Sequence, residues 1–213
     1  MDRADPVSHG FDLLRTRLLQ KLKENGWRSV AVMSPTRGCG ATFSAANLAV
    51  SLSRVATCRT LLIDFNLRAP GVGAAFGLRS NVDAQSYFTG ALPMASYLVR
   101  YCGNLALGLA EQPVAAPAEL IHDPRTGEAL SALQKRLRPD VTLYDLPPVL
   151  EYDDASAFLR FVDGVLLVAD ATTTIGSQIV ECERAIADQS KLLGVVLNRS
   201  RERGGATRGC KRA

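Results

Sequence analysis

The sequence predicts an α/β fold, a three-layer α/β/α sandwich around a mostly parallel sheet. Three observations carry this. Short, continuous apolar runs alternate with stretches of helical periodicity, the pattern of strands buried on both faces and joined by helical crossovers. The first of these runs is followed at once by a glycine turn and a helix. Two later runs each end in an aspartate, Asp64 and Asp145. Right-handed crossovers then place helices on both sides of the sheet.

The elements follow in order. Phe11, Leu14, Leu18 and Leu22 recur at helical spacing with basic residues between them, predicting an amphipathic helix over Phe11 to Glu24 that closes at Asn25-Gly26. Ser29 to Met33 is a strand, Ser34 to Gly40 a loop, and Ala45 to Leu52 a helix. Thr60 to Ile63 is a strand ending at Asp64. The segment from Gly71 to Met94, rich in glycine, alanine and turn residues, reads as an irregular excursion over the sheet's C-terminal edge. Asn104 to Leu109 is a weaker apolar run. Pro117 to Arg138 reads as one or two helices, broken near Asp123-Pro124. Val141 to Tyr144 is a strand ending at Asp145, Gly164 to Ala169 a strand, Gly176 to Ser190 a helix, and Leu192 to Leu197 a final strand. Asp153 and Asp154 are read as caps of the helix that follows them.

Composition bounds the rest. The 213 residues are 47% hydrophobic and 22% charged, as expected of one globular domain over residues 1–200. Residues 201–213 form a basic segment expected to be disordered, a solvated end or an electrostatic foot on acidic lipid. No basic stripe with interleaved aromatics marks the body, so nucleic acid is not an expected partner. Five scattered cysteines without a C-x-x-C pair argue against a disulfide framework and a zinc site, and fit a reducing cytoplasm. His9 and His122 are isolated. No apolar run approaches the roughly 20 residues of a membrane span.

The chemistry is concentrated in Ser34-Pro35-Thr36-Arg37-Gly38-Cys39-Gly40-Ala41-Thr42-Phe43. Between a strand and a helix, such a glycine turn aims backbone N–H groups at phosphate oxygens, and the helix adds its positive end. A phosphate-binding loop of this kind adds a lysine for the β- and γ-phosphates and a hydroxyl for Mg²⁺. Thr42 stands where the hydroxyl belongs, but Ala41 stands where the lysine belongs. Asp64 and Asp145 stand where P-loop proteins keep aspartates associated with Mg²⁺.

The segment from Ser34 to Ala49 resembles the P-loop of the bacterial tyrosine kinases of capsule and exopolysaccharide synthesis. Leu61-Leu62-Ile63-Asp64-Phe65-Asn66-Leu67-Arg68-Ala69-Pro70 is similar to that family's second motif, L-L-I-D-x-D-x-R-x-P. Tyr144-Asp145-Leu146-Pro147-Pro148-Val149-Leu150 resembles its third, D-x-P-P-V-L. The likeness covers about residues 9 to 200, and the wider group includes the ParA and MinD partitioning ATPases. It implies a P-loop NTPase fold, ATP or ADP with Mg²⁺ as cofactors, and metal contacts from Thr42 and Asp145. It implies catalytic roles for Asp64 and Asp145, with Arg37, Gly38, Cys39, Gly40, Ala41, Thr42 and Phe43 around the nucleotide. It places Asn198 where the wider group recognises adenine. It implies a homo-oligomeric ring, a cytoplasmic chain and a membrane-anchored polysaccharide co-polymerase as partner.

The departures are specific. Ala41 replaces the lysine, Cys39 an acid, and Asn66 the second aspartate of D-x-D. The family's ring helix, E-x-x-R-x-x-R, aligns with His9, Asp12 and Arg15, so only its last arginine survives. No tyrosine follows Tyr152. A charge-assisted hydrogen bond is worth about 1.5–3 kcal/mol, so losing the lysine weakens triphosphate binding roughly ten- to a hundredfold. The expectation is a degenerate regulatory partner of the co-polymerase with weak or no ATP binding and impaired phosphoryl transfer. Its rivals are an active kinase or ATPase using Arg37 or a partner's cation, and a positioning ATPase like ParA and MinD.

Overall fold

A computed structural model of the chain describes residues 6–79, 83–110 and 112–200. In the first strand, β1 (Ser29–Met33), Val30 and Val32 point to one side of the sheet and Ala31 and Met33 to the other, and all four are buried. A continuous apolar run is what a strand covered on both faces requires. The same holds for β2 (Thr60–Asp64), β5 (Val141–Asp145) and β6 (Gly164–Asp170). With β3 (Leu98–Cys102), β4 (Leu105–Gly108) and β7 (Leu192–Asn198), they form one seven-stranded sheet in the order β3-β4-β2-β5-β1-β6-β7. Every pairing is parallel except β3 with β4.

Helices cover both faces. On one, α1 (Pro6–Asn25), α2 (Ala41–Ser53) and α3 (Val72–Ala75) pack Leu18, Leu22, Leu48 and Val72 against Val30, Val32, Leu62 and Leu143. The other face is covered by α4 (Ala84–Phe88), α5 (Met94–Tyr97), α6 (Pro117–His122), α7 (Pro124–Leu137), α8 (Asp153–Phe158) and α9 (Gly176–Ala187). The excursion expected to be irregular therefore holds two short helices, α3 and α4. The α5–β3 pair has no counterpart in the periodicity reading. Its strand is an antiparallel edge, only half-covered, and carries Arg100. The break at Asp123-Pro124 separates α6 from α7, and the Asp123 side chain accepts from the Arg125 N–H to start the second helix.

The two edges of the sheet differ. Seven residues long and free of charged side chains, β7 leaves Val195 and Leu197 exposed, 43% and 55%. Opposite it, β3 turns its far half to solvent with Arg100 and Tyr101.

Asp12 and Arg15, aligned with the ring helix, are used within the molecule. Arg15 Nη1 donates to Asp12 Oδ1 at 2.8 Å and to the Ser51 carbonyl at 3.1 Å, and Ser51 Oγ donates to Asp12 at 2.6 Å. This network ties α1 to α2, while His9 is exposed. Among the described residues no helix is long and apolar enough to cross a membrane.

Candidate functional site

The sheet order places β1 between β5 and β6, with β2 beyond β5, so the chain leaving β1 crosses over β5 to reach β2. The carboxyl ends of β1, β2 and β5 thus lie side by side, at the edge where open α/β sheets bind ligands. There the 34–40 loop joins β1 to α2. Gly38 and Gly40 have φ of 82° and 90°, in the left-handed region that penalises a side chain. The cap of α2 is Gly40, which has no side chain to offer, so the first-turn N–H groups keep no side-chain acceptor. A 13-residue helix opening in this way onto a glycine loop is built to accept an anion.

Behind the loop, Asp64 and Asp145 sit opposite each other on adjacent parallel strands, both wholly buried. Asp64 Oδ2 accepts from the Gly71 and Val72 N–H groups at 2.9 Å each. Asp145 Oδ2 accepts from Thr42 Oγ1 at 2.7 Å. Its other oxygen, Oδ1, is buried with no hydrogen-bond partner. Burial pushes the Asp64 carboxyl up to about 7 against the backbone bonds that pull it down. Burial first, then the neighbouring Asp64 charge, raises Asp145 well above the usual range. Among the described residues neither carboxylate has an ion-pair partner.

An orphaned carboxylate oxygen beside a hydroxyl fits a hard cation held through few protein ligands. No group of three His, Cys, Asp or Glu among the described residues could hold a metal alone. Thr42 and Asp145 are the side chains that would hold Mg²⁺ here, and a phosphate would have to complete its ligand set.

Thr42 also lines a cleft of about 320 Å³, with Gly38, Gly40, Ala41, Asn66 and Tyr152 and with Arg37 and Arg68 as its cations, while Asp145 lies buried behind Thr42. Both arginines are already engaged. Arg37 donates its backbone N–H to Glu151 Oε1 at 2.6 Å and forms an ion pair with the same carboxylate, Nε to Oε2 3.1 Å, and Nη2 bonds the Tyr152 hydroxyl. Arg68 holds Asp154 through Nε and Nη2, its guanidinium 4.5 Å from the Tyr152 ring centroid.

Asp154 is thus not a helix cap. Tyr152 occupies the cap position of α8 without a side-chain bond, and Asp154, 1% exposed, is the buried partner of Arg68. The placing of Tyr152 beside both guanidinium groups has no local signature, because its partners lie 115 and 84 positions away in the chain.

The other expected site residues fall around the cleft. Cys39 is buried under the loop, its Sγ 3.6 Å from Thr36 Oγ1 and 3.7 Å from Thr174 Oγ1. Phe43 is exposed on α2 and meets Phe11 edge to face at 6.0 Å. Asn198, at the end of β7, donates through Nδ2 to the Cys39 carbonyl at 2.8 Å.

No family model matches the chain. Relatives and solved structures do. The tyrosine-protein kinase YwqD of Bacillus subtilis is 30% identical over 193 residues, 90% of this chain and 80% of YwqD. The crystal structure of the chimerical protein CapA2B2 superposes with a TM-score of 0.85 at 25% identity, over 93% of this chain and 87% of that one. The VpsO kinase domain superposes with a TM-score of 0.80 at 27% identity, over 91% and 96%. With a P-loop fold, both motif aspartates in place and this likeness along nearly its whole length, the chain belongs to the bacterial tyrosine-protein kinase family.

Proposed function

We propose that the chain is a kinase-like regulatory protein of exopolysaccharide or capsule synthesis. In this reading it keeps the P-loop fold for docking, with weak Mg²⁺–ATP binding at most and impaired phosphoryl transfer. The observation that carries it is the charge distribution in the cleft. Ala41 stands at the lysine position, and the two cations that line the cleft are held by Glu151, Tyr152 and Asp154 rather than left for phosphate. Phosphoryl transfer depends on positive charge aimed at the transferred group, and removing a single preorganised donor of this kind costs about 10²–10³ in rate. Backbone N–H groups from Gly38 to Thr42 would still cradle a phosphate. Asp64 and Asp145 would hold the catalytic carboxylate positions, Thr42 and Asp145 would hold Mg²⁺, and Asn66 offers no second acid. The proposed partner is a membrane-anchored polysaccharide co-polymerase, met at the cytoplasmic face, as the family likeness implies.

The test is tyrosine phosphorylation and ATP turnover by the full chain, with and without a polysaccharide co-polymerase from the same organism. No turnover beyond background is expected in either case. Phosphorylation of the chain or its partner at rates typical of kinases would overturn the reading.

One observation favours the active alternative. The Arg37–Glu151 pair is open to solvent, its arginine side chain 62% exposed, and exposed pairs are worth about 0–1 kcal/mol. A bound triphosphate could draw Arg37 away. Hydrolysis abolished by both Arg37→Ala and Asp145→Ala would establish that route.

A further inference from the structure

With Ala41 contributing no charge, whatever grip the loop has on phosphate rests on the aim of its backbone N–H groups. What fixes that aim comes from the far end of the domain. Asn198 lies 159 positions after Cys39, yet its Nδ2 donates to the Cys39 carbonyl at 2.8 Å. The other end of the carboxamide is also used, since Oδ1 accepts from the Arg199 N–H at 2.9 Å. Holding the Cys39 carbonyl from outside turns the peptide that follows, so that the Gly40 N–H points away from Asn198.

The fit is close. A β-carbon on Gly40 would stand 2.3 Å from Asn198 Nδ2, well inside any real contact, so Gly40 is required by this side chain as well as by its own φ of 90°. Asn198 is itself held. The Ala171 N–H donates to its carbonyl at 2.9 Å. Arg199, in the left-handed region at φ 55°, bonds the buried Asp170. Asp170 in turn accepts from Thr172 N–H at 2.8 Å and Thr172 Oγ1 at 2.6 Å. Thr174, on the same β6–α9 connection, meets Cys39 Sγ. The ends of β6 and β7 and the loop after β1 thus form one hydrogen-bonded unit.

We propose that Asn198 is a positioning residue for the phosphate loop, holding the Cys39 carbonyl so that the loop's N–H groups face the ligand, with Arg199 and Asp170 as its brace. This rests on the reading of the loop as a phosphate site. It differs from a role in reading the base, because Asn198 acts through the loop and is indifferent to what the phosphate carries.

The experiment compares two probes, Mg²⁺–ATP and Mg²⁺ with inorganic triphosphate, which has no base. Each is titrated calorimetrically into the full chain and into Asn198→Ala. Loss of one braced hydrogen bond should weaken both probes by the same factor, about tenfold. A loss confined to ATP, with triphosphate unchanged, would overturn the proposal.

A second readout needs no ligand. The Ser44 N–H donates to the Gly40 carbonyl at 2.9 Å, and its hydrogen exchange should quicken in Asn198→Ala, with the sheet unchanged. Unaltered exchange there, together with unaltered amide chemical shifts at Gly38, Gly40 and Ala41, would overturn the proposal whether or not nucleotide binds. If neither probe binds the unmodified chain while Ser44 exchange does quicken, the phosphate reading fails and the positioning role stands.

Discussion

Asp64 and Asp145 form a buried floor behind Thr42 and have backbone and hydroxyl donors but no cation among the described residues, whereas Arg37 and Arg68 at the rim of the cleft each hold a carboxylate. The floor is buried and electrostatically incomplete; the rim is more open and self-satisfied. A charge-bearing ligand would complete the floor, and the rim offers it little without first giving something up. The difference is the basis of the proposed loss of function: buried acids and a glycine loop stand together, and the cations beside them are bound to other side chains.

Substitutions can break or sharpen this contrast. The effect that depends on pH is on the floor. Both acids carry raised pKa values, so the folded state binds protons that the unfolded state releases between the ordinary carboxylate range and about 7. Stability therefore falls as pH rises through that window. The Asp64 shift alone sets an upper bound of about 4 kcal/mol. Asp145→Asn, which keeps an acceptor for Thr42 but cannot ionise, should raise stability by about 1–3 kcal/mol at pH 8 and by less at pH 5. Urea melts at the two pH values check it. A gain that does not grow with pH would mean the floor is already neutralised.

At the rim, Arg68→Ala leaves Asp154 buried without its partner and should cost about 3 kcal/mol in the same melts. A loss below about 1 kcal/mol would place Asp154 in contact with water and remove the distinction between its pair and that of Arg37. Next is Ala41→Lys, which supplies the missing charge to the floor. It should tighten binding of a fluorescent ATP analogue with Mg²⁺ roughly ten- to a hundredfold. Unchanged affinity would show either that the loop does not hold nucleotide or that another cation already serves. The smallest effect is expected from Arg37→Ala, within about 1 kcal/mol of the parent in stability and with analogue affinity unaltered. A clear loss of affinity there would transfer weight to the active alternative.

Much of this was legible in the sequence because the central strands leave little choice. Thr60–Asp64 and Val141–Asp145 are buried on both faces, so their apolar runs are continuous and each ends visibly in an acid. The Gly38-Cys39-Gly40 turn before a helix was equally plain. Elements that escaped did so for physical reasons. The β3 strand is an edge with one half in solvent, and its Leu-Val-Arg-Tyr-Cys run has no clean period. The first turns of α1 precede its first apolar stripe residue, Phe11, so periodicity starts the helix late. Within the site, the motif aspartates were expected, but their unequal satisfaction was not. It depends on which donors the 71–72 turn and Thr42 bring to each oxygen. Asp154 was misread as a cap because its partner, Arg68, is 86 positions away, and local spacing favoured the nearer explanation.

Among the described residues nothing pairs with the outer edge of β7, which bears on how the protein behaves in a tube. Neither a charged side chain nor a proline interrupts Leu192–Asn198, and Val195 and Leu197 face outward. Such a strand is a template for another chain. Concentrated samples should tend to associate through it, and a single lysine in place of Val195 is the most economical way to keep them dispersed for crystallisation or spectroscopy.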